Sequence, residues 1–115
     1  MKEFTVKFRL SDSAYMTALR LVAGAVCSIK DIDVDTSEDF KVCVTESAII
    51  LKNCGFEEAV FDFKADDGVS CAVTGEGGNP VKSENAFSLA LVSALVSDCK
   101  IDGDDGIIKR VVLKV

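Results

Sequence analysis

DTSEDFKVCVTESAIILKNCG, residues Asp35 to Gly55, reads as a helix whose two ends are set by its own residues. Asp35 with Glu38 after it has the form of a capping box, Glu38 and Asp39 put negative charge on the first turn, and Asn53 to Gly55 supplies a stop. Phe40, Cys43, Val44, Ser47 and Leu51 recur at helical spacing as one apolar stripe, while Val42, Glu46, Ile49, Ile50 and Asn53 gather on an adjacent face. Glu46 is the chemically unusual member. Set among Val44, Ala48 and Ile50, its carboxylate must reach solvent, find a partner or face a polar cavity, because burying it alone costs on the order of several kcal/mol.

Working outward toward the N-terminus, Lys30 to Val34 is a short connection. Before it, Ser11 is placed to cap a helix from about Asp12 to Ser28, with Tyr15, Ala18, Leu19, Val22 and Val26 inward and Arg20 outward. Glu3 to Leu10 alternates, with Phe4, Val6, Phe8 and Leu10 on one side and Thr5, Lys7 and Arg9 on the other, as a half-buried strand does. Toward the C-terminus, Ala59 to Lys64 is a strand, Asp66-Asp67-Gly68 a hairpin turn, and Val69 to Val73 the returning strand. Gly75 to Pro80 reads as a polar loop whose glycines allow close backbone approach to a ligand. A third helix is expected from Ser83 or Glu84 to Asp98, with Phe87, Leu91, Ala94 and Leu95 as its stripe. Lys100 to Asp102, a turn at Asp104-Asp105-Gly106, and Ile107 to Val115 close the chain as a second hairpin. The order is βααββαββ, which lets three helices lie on one face of a mainly antiparallel mixed sheet: a two-layer α/β (α+β) sandwich.

At 115 residues, 49% hydrophobic and with one proline, the chain is expected to form a single domain over residues 1–115 with its own core. Thirteen basic against nineteen acidic residues give a net charge of −6, which opposes nucleic acid and anionic membranes and favours a basic protein partner. The five cysteines form no CxxC pair and there is no histidine to complete a zinc site, so they read as reduced core thiols. With no secretion signal after Met1-Lys2-Glu3, the expected location is the cytoplasm. Leu21 to Cys27, the longest apolar run, is too short to span a bilayer.

Arg20-Leu21 in the first helix, Asp39 before Phe40-Lys41-Val42, and Val44-Thr45-Glu46-Ser47-Ala48 together resemble the anti-sigma factor serine-protein kinases of the GHKL (histidine kinase-like) ATPase superfamily. The likeness extends over nearly the whole chain. It implies that Glu46 holds the place of the catalytic base on a protein serine, a role that needs the carboxylate beside the attacking hydroxyl. The family's magnesium-binding asparagine, four residues on, is replaced by Ile50, which has no oxygen to offer, so no metal ligand is expected there. The adenine-reading aspartate falls at Gly75, whereas Gly77 keeps its glycine. The phosphate-covering motif aligns with Ala86-Phe87-Ser88-Leu89, where both family glycines are replaced and Cβ atoms crowd the helix start. The stretch from Asn79 to Ala86 is left as a short lid.

The resemblance therefore implies a bacterial anti-sigma-factor-like regulator with a degenerate ATP site, acting by binding a sigma factor or a STAS-type anti-anti-sigma factor. Homodimers through the sheet edge or first helix region belong to the same expectation, and no cofactor is required. An active serine-protein kinase is the alternative. It would bind ATP and magnesium with Gly77 keeping the shape of the nucleotide loop and Asn53, Asn79 and Ser88 as the polar groups at hand. A second alternative is a scaffold or dimerisation domain.

Overall fold

In the computed structural model, which describes residues 3–115, the elements run β1 (Glu3–Arg9), α1 (Tyr15–Ile29), α2 (Val34–Asn53), β2 (Glu58–Lys64), β3 (Ser70–Glu76), α3 (Ala86–Leu95), β4 (Asp98–Asp104) and β5 (Ile107–Lys114). The strands form one sheet in the order β1-β2-β3-β5-β4. Every pairing among the described residues is antiparallel, so the sheet is not mixed.

One face of the sheet is closed by the helices. Strand alternation sends Ala59, Phe61 and Phe63 of β2, Cys71 and Val73 of β3, and Val111 and Leu113 of β5 into a core shared with α1, α2 and α3. Phe40 of α2 meets Phe63 edge-on at 6.5 Å between centroids, and Phe8 of β1 meets Phe61 at 5.8 Å, so rings from strand and helix interlock. The other face is polar and half-exposed, with Thr5 donating to Asp62 and Lys7 paired to Glu76 at 3.1 Å.

Helix α2 begins earlier than its own sequence suggests. Asp33, not Asp35, is the N-cap: its backbone is extended and its carboxylate accepts from the Thr36 N–H at 3.3 Å. The Thr36 side chain, and after it this backbone hydrogen bond, hold the Asp33 carboxyl below its ordinary pKa. The stripe Phe40, Cys43, Val44, Ser47 and Leu51 is buried throughout. Helix α1 starts at Tyr15 rather than Asp12. Ser11 does not cap it; Asp12 instead accepts from the Ala14 N–H at 3.0 Å in the preceding turn.

The largest corrections lie in the second half. Gly75 and Glu76 belong to β3 and not to a loop, paired with Ala59 and Glu58. Helix α3 is shorter than expected at Ala86–Leu95, and its inward residues are Ser88 and Val92. Phe87, placed in the apolar stripe by sequence, is 78% exposed. Strand β4 is longer than expected, with a register shift at Asp102/Gly103, and Asp105 and Gly106 both take positive φ in the turn to β5.

Candidate functional site

Helices α2 and α3 run antiparallel, and three contacts along them fix their relation. Near the N-terminal half of α2, the Cys43 thiol donates to the Val92 carbonyl at 3.8 Å. At mid-helix, the Ser88 hydroxyl donates to Glu46 Oε1 at 3.0 Å. At the C-terminal end of α2, Asn53 Nδ2 donates to Asn85 Oδ1 at 3.2 Å.

Glu46 thus meets Ser88, two residues singled out by sequence for different tasks. A carboxylate within hydrogen-bond reach of a hydroxyl is the geometry of a general base and a nucleophile. Here, however, Ser88 is only 9% exposed, so its oxygen is enclosed by the protein, and the bond joins one helix to the other. Its chemical effect is to give a half-buried carboxylate a partner, one of the three outcomes the sequence left open.

Ile50, where the resemblance finds the family's metal-binding asparagine replaced, has 0% exposure. Its side chain is wholly buried. Among the described residues, no group of three or more acidic or cysteine side chains converges as a metal site would require.

The glycine segment is stitched to the corner between α2 and β2. Glu57 N–H donates to the Glu76 carbonyl at 3.1 Å, Asn79 N–H to Gly55 at 3.1 Å, and Val81 N–H to Cys54 at 2.8 Å. Gly77 and Gly78 take positive φ to make this turn. A Cβ on Gly78 would collide with the Gly55 carbonyl oxygen. Gly75 serves a different contact: a Cβ there would stand 2.5 Å from Cγ of the Phe56 ring, which lies across it. The close approach that the glycines permit is therefore to the protein's own backbone and to Phe56.

The five sequence-chosen residues fall into two groups. Glu46 and Ser88 are bonded to each other, with Asn53 at the same helix pair; Gly77 and Asn79 sit in the strap on Gly55 to Glu57. Asn85, which sequence reading passed over, is the buried polar hub: besides Asn53 it reaches the Ser83 carbonyl at 3.3 Å and Cys54 Sγ at 3.7 Å, and Ile108 N–H also points to that sulfur at 3.5 Å. Its position directly before an apolar run, where helix-capping residues gather, was the available signal.

Burial pushes the Cys43 thiol up to about 12, with the charges of Asp39 and Glu46 adding to it. It is therefore an inert structural thiol beside the Glu46–Ser88 contact. An open groove of about 580 Å³ lies elsewhere, between α1 and α2, bordered by Arg20, Leu21, Gly24, Ser37 and Lys41. No helix among the described residues is long and apolar enough to cross a membrane. No protein-family model matches the chain, and no curated protein matches it.

Proposed function

We propose that this chain is a GHKL ATPase-like, anti-sigma-factor-like regulatory domain that acts by binding another protein and does not turn over ATP. The observation that carries the reading is Ile50, fully enclosed at the position where the resembled kinases place their metal ligand. Three further features support it. Glu46 is engaged by Ser88, Gly75 lies under Phe56, and the Gly77–Asn79 strap is bonded to Gly55 and its neighbours. On this reading, each of these puts protein atoms where phosphates, adenine or metal would need room.

The partner on this reading is a sigma factor or a STAS-type antagonist in a bacterial cytoplasm, and the net charge of −6 favours a basic surface on it. Titration calorimetry with ATP and magnesium, together with transfer of labelled phosphate to a STAS-type protein, tests the proposal. The expected result is no magnesium-dependent binding tighter than about 100 µM, or roughly −5.5 kcal/mol, and no transfer. Micromolar magnesium-dependent binding with transfer that Glu46→Gln abolishes would establish the kinase instead. Failure to bind either protein class in solution would favour the scaffold reading.

A further inference from the structure

A helix packed on one side ordinarily turns charged residues to water. Helix α3 does not: its sequence AFSLALVSAL has no ionisable side chain. Ser88 and Val92 face inward, Ala86, Phe87, Ala90, Ser93 and Ala94 are exposed, and half-buried Leu91 lies one turn from Phe87. The result is an apolar strip along the length of the helix. Helix α2 extends it. Val42, Glu46 and Ile49 share one half-exposed face by their spacing, and the Glu46–Ser88 bond sets that face against α3.

Acidic side chains flank the strip at both ends and along α2. Glu84 lies at the start of α3, where it accepts from the Ala86 N–H. Asp98 follows its end, and Asp39 and Glu46 lie along α2 beside Cys43, the residue that contacts Val92. Lys41, on the other side of α2, is held by Glu38 at 3.0 Å. A second copy of the chain would bring the same acids to an already negative surface, and phosphate-rich surfaces are disfavoured on the same ground.

From this juxtaposition we infer that the joint α2–α3 surface is the docking site for a basic amphipathic helix of a partner protein. Its apolar side would lie on Phe87 and Leu91, and its Lys and Arg would meet Asp39, Glu84 and Asp98. The inference rests on the reading that the chain works by binding protein, and adds where it binds and what it recognises.

The probe is a pair of synthetic helical peptides about four turns long with identical leucine spacing, one with lysine and one with glutamate at the polar positions. Each is titrated into the 15N-labelled chain at low salt. The lysine peptide should bind, shift the amides around Val42, Ile49, Phe87 and Leu91, and weaken steeply toward roughly 0.5 M salt. Phe87→Ser, at a site exposed enough to leave the fold intact by circular dichroism, should weaken it by about tenfold. Asp39→Asn with Glu84→Gln should flatten the salt dependence, and Leu21→Ser on α1 should change nothing. Equal binding of both peptides, or an unaltered affinity in Phe87→Ser, would overturn the inference. Shifts gathered on α1 and β1 would remove this surface yet leave protein binding in place, whereas the phosphate-transfer assay above tests the parent reading separately.

Discussion

Replacing Ile50 by asparagine would supply the amide that the proposed resemblance to GHKL kinases calls for, and the burial of Ile50 sets what the change should do instead. Ile50 is wholly buried, so the substitution removes apolar packing and brings in an amide with no partner provided for it. Truncating a buried isoleucine costs about 2–5 kcal/mol, and an unpartnered amide about 1–3 kcal/mol. Because asparagine refills part of the volume, the net loss should be about 3–5 kcal/mol. Set against a total of about 5–15 kcal/mol for a domain, that leaves a marginal protein. At about 4–6 °C per kcal/mol for this size, the melting midpoint should fall by more than about 12 °C. Ile50→Val, which keeps shape, should cost only about 1 kcal/mol. Urea unfolding followed by far-UV circular dichroism, with and without ATP and magnesium, measures both. A loss below about 1 kcal/mol for the asparagine variant would mean that water reaches position 50, which contradicts its burial. A nucleotide-dependent recovery of about 2 kcal/mol or more would mean that the amide finds a metal and phosphates, and the reasoning behind the decayed site would fall.

Gly75→Asp, the second substitution that the proposed resemblance suggests, should lower stability by about 1–3 kcal/mol in the same unfolding assay, because its Cβ enters the Phe56 ring. Adding Phe56→Ala should return part of that local strain, and strict additivity of the two losses would contradict the contact. The raised Cys43 and Cys71 thiols predict slow modification: with a disulfide reagent at pH 8, half-buried Cys99 should react first and those two only on unfolding. The unfolded chain ionises these thiols near pH 9 and the native one higher, so native stability should be full below pH 9 and decline as pH rises from there toward about 12, as pH-dependent melts would register. At the acid end the sign reverses for Asp33, whose lowered pKa contributes stability above its unfolded value that is lost as pH falls through the folded one. Asp33→Ala should lower the melting temperature at neutral pH and Asp35→Ala should not, and equal effects would refute the assigned cap.

The first half of the chain was legible because its patterns have phase. β1 and β2 alternate cleanly, and the α2 stripe separates large apolar residues from acids, so each register has a single solution. Helix α3 was misread because it has no phase: in an almost uniformly apolar helix the stripe Phe87, Leu91, Ala94 and Leu95 fits helical spacing as well as the face that is buried at Ser88 and Val92. The cap of α2 was misplaced since Asp33 and Asp35 both stand before helical residues. Only the Thr36 N–H geometry decides between them. Gly75 looked like loop because its partner, Phe56, lies nineteen positions earlier in the sequence and reaches it only through the β2–β3 pairing. For the candidate site, sequence identified Glu46 as unusual but could not show that Ser88 answers it, since the two lie on separate helices whose approach depends on the whole core.

The strand order has a consequence for biosynthesis. β5 lies between β3 and β4 although it follows both in the chain. A ribosome that has released residues as far as Asp105 has made the two neighbours but not the strand that joins them. Until Ile107 to Lys114 emerge, β3 presents an unpaired row of N–H and C=O groups, β4 has no strand to lie against, and the hydrophobic core lacks Val111 and Leu113. The nascent chain therefore carries an open sheet edge beside exposed core until β5 has been made. That edge is sealed only when β5 slides into the gap between β3 and β4, so the interval most exposed to misassociation falls just before residues 107–114 emerge.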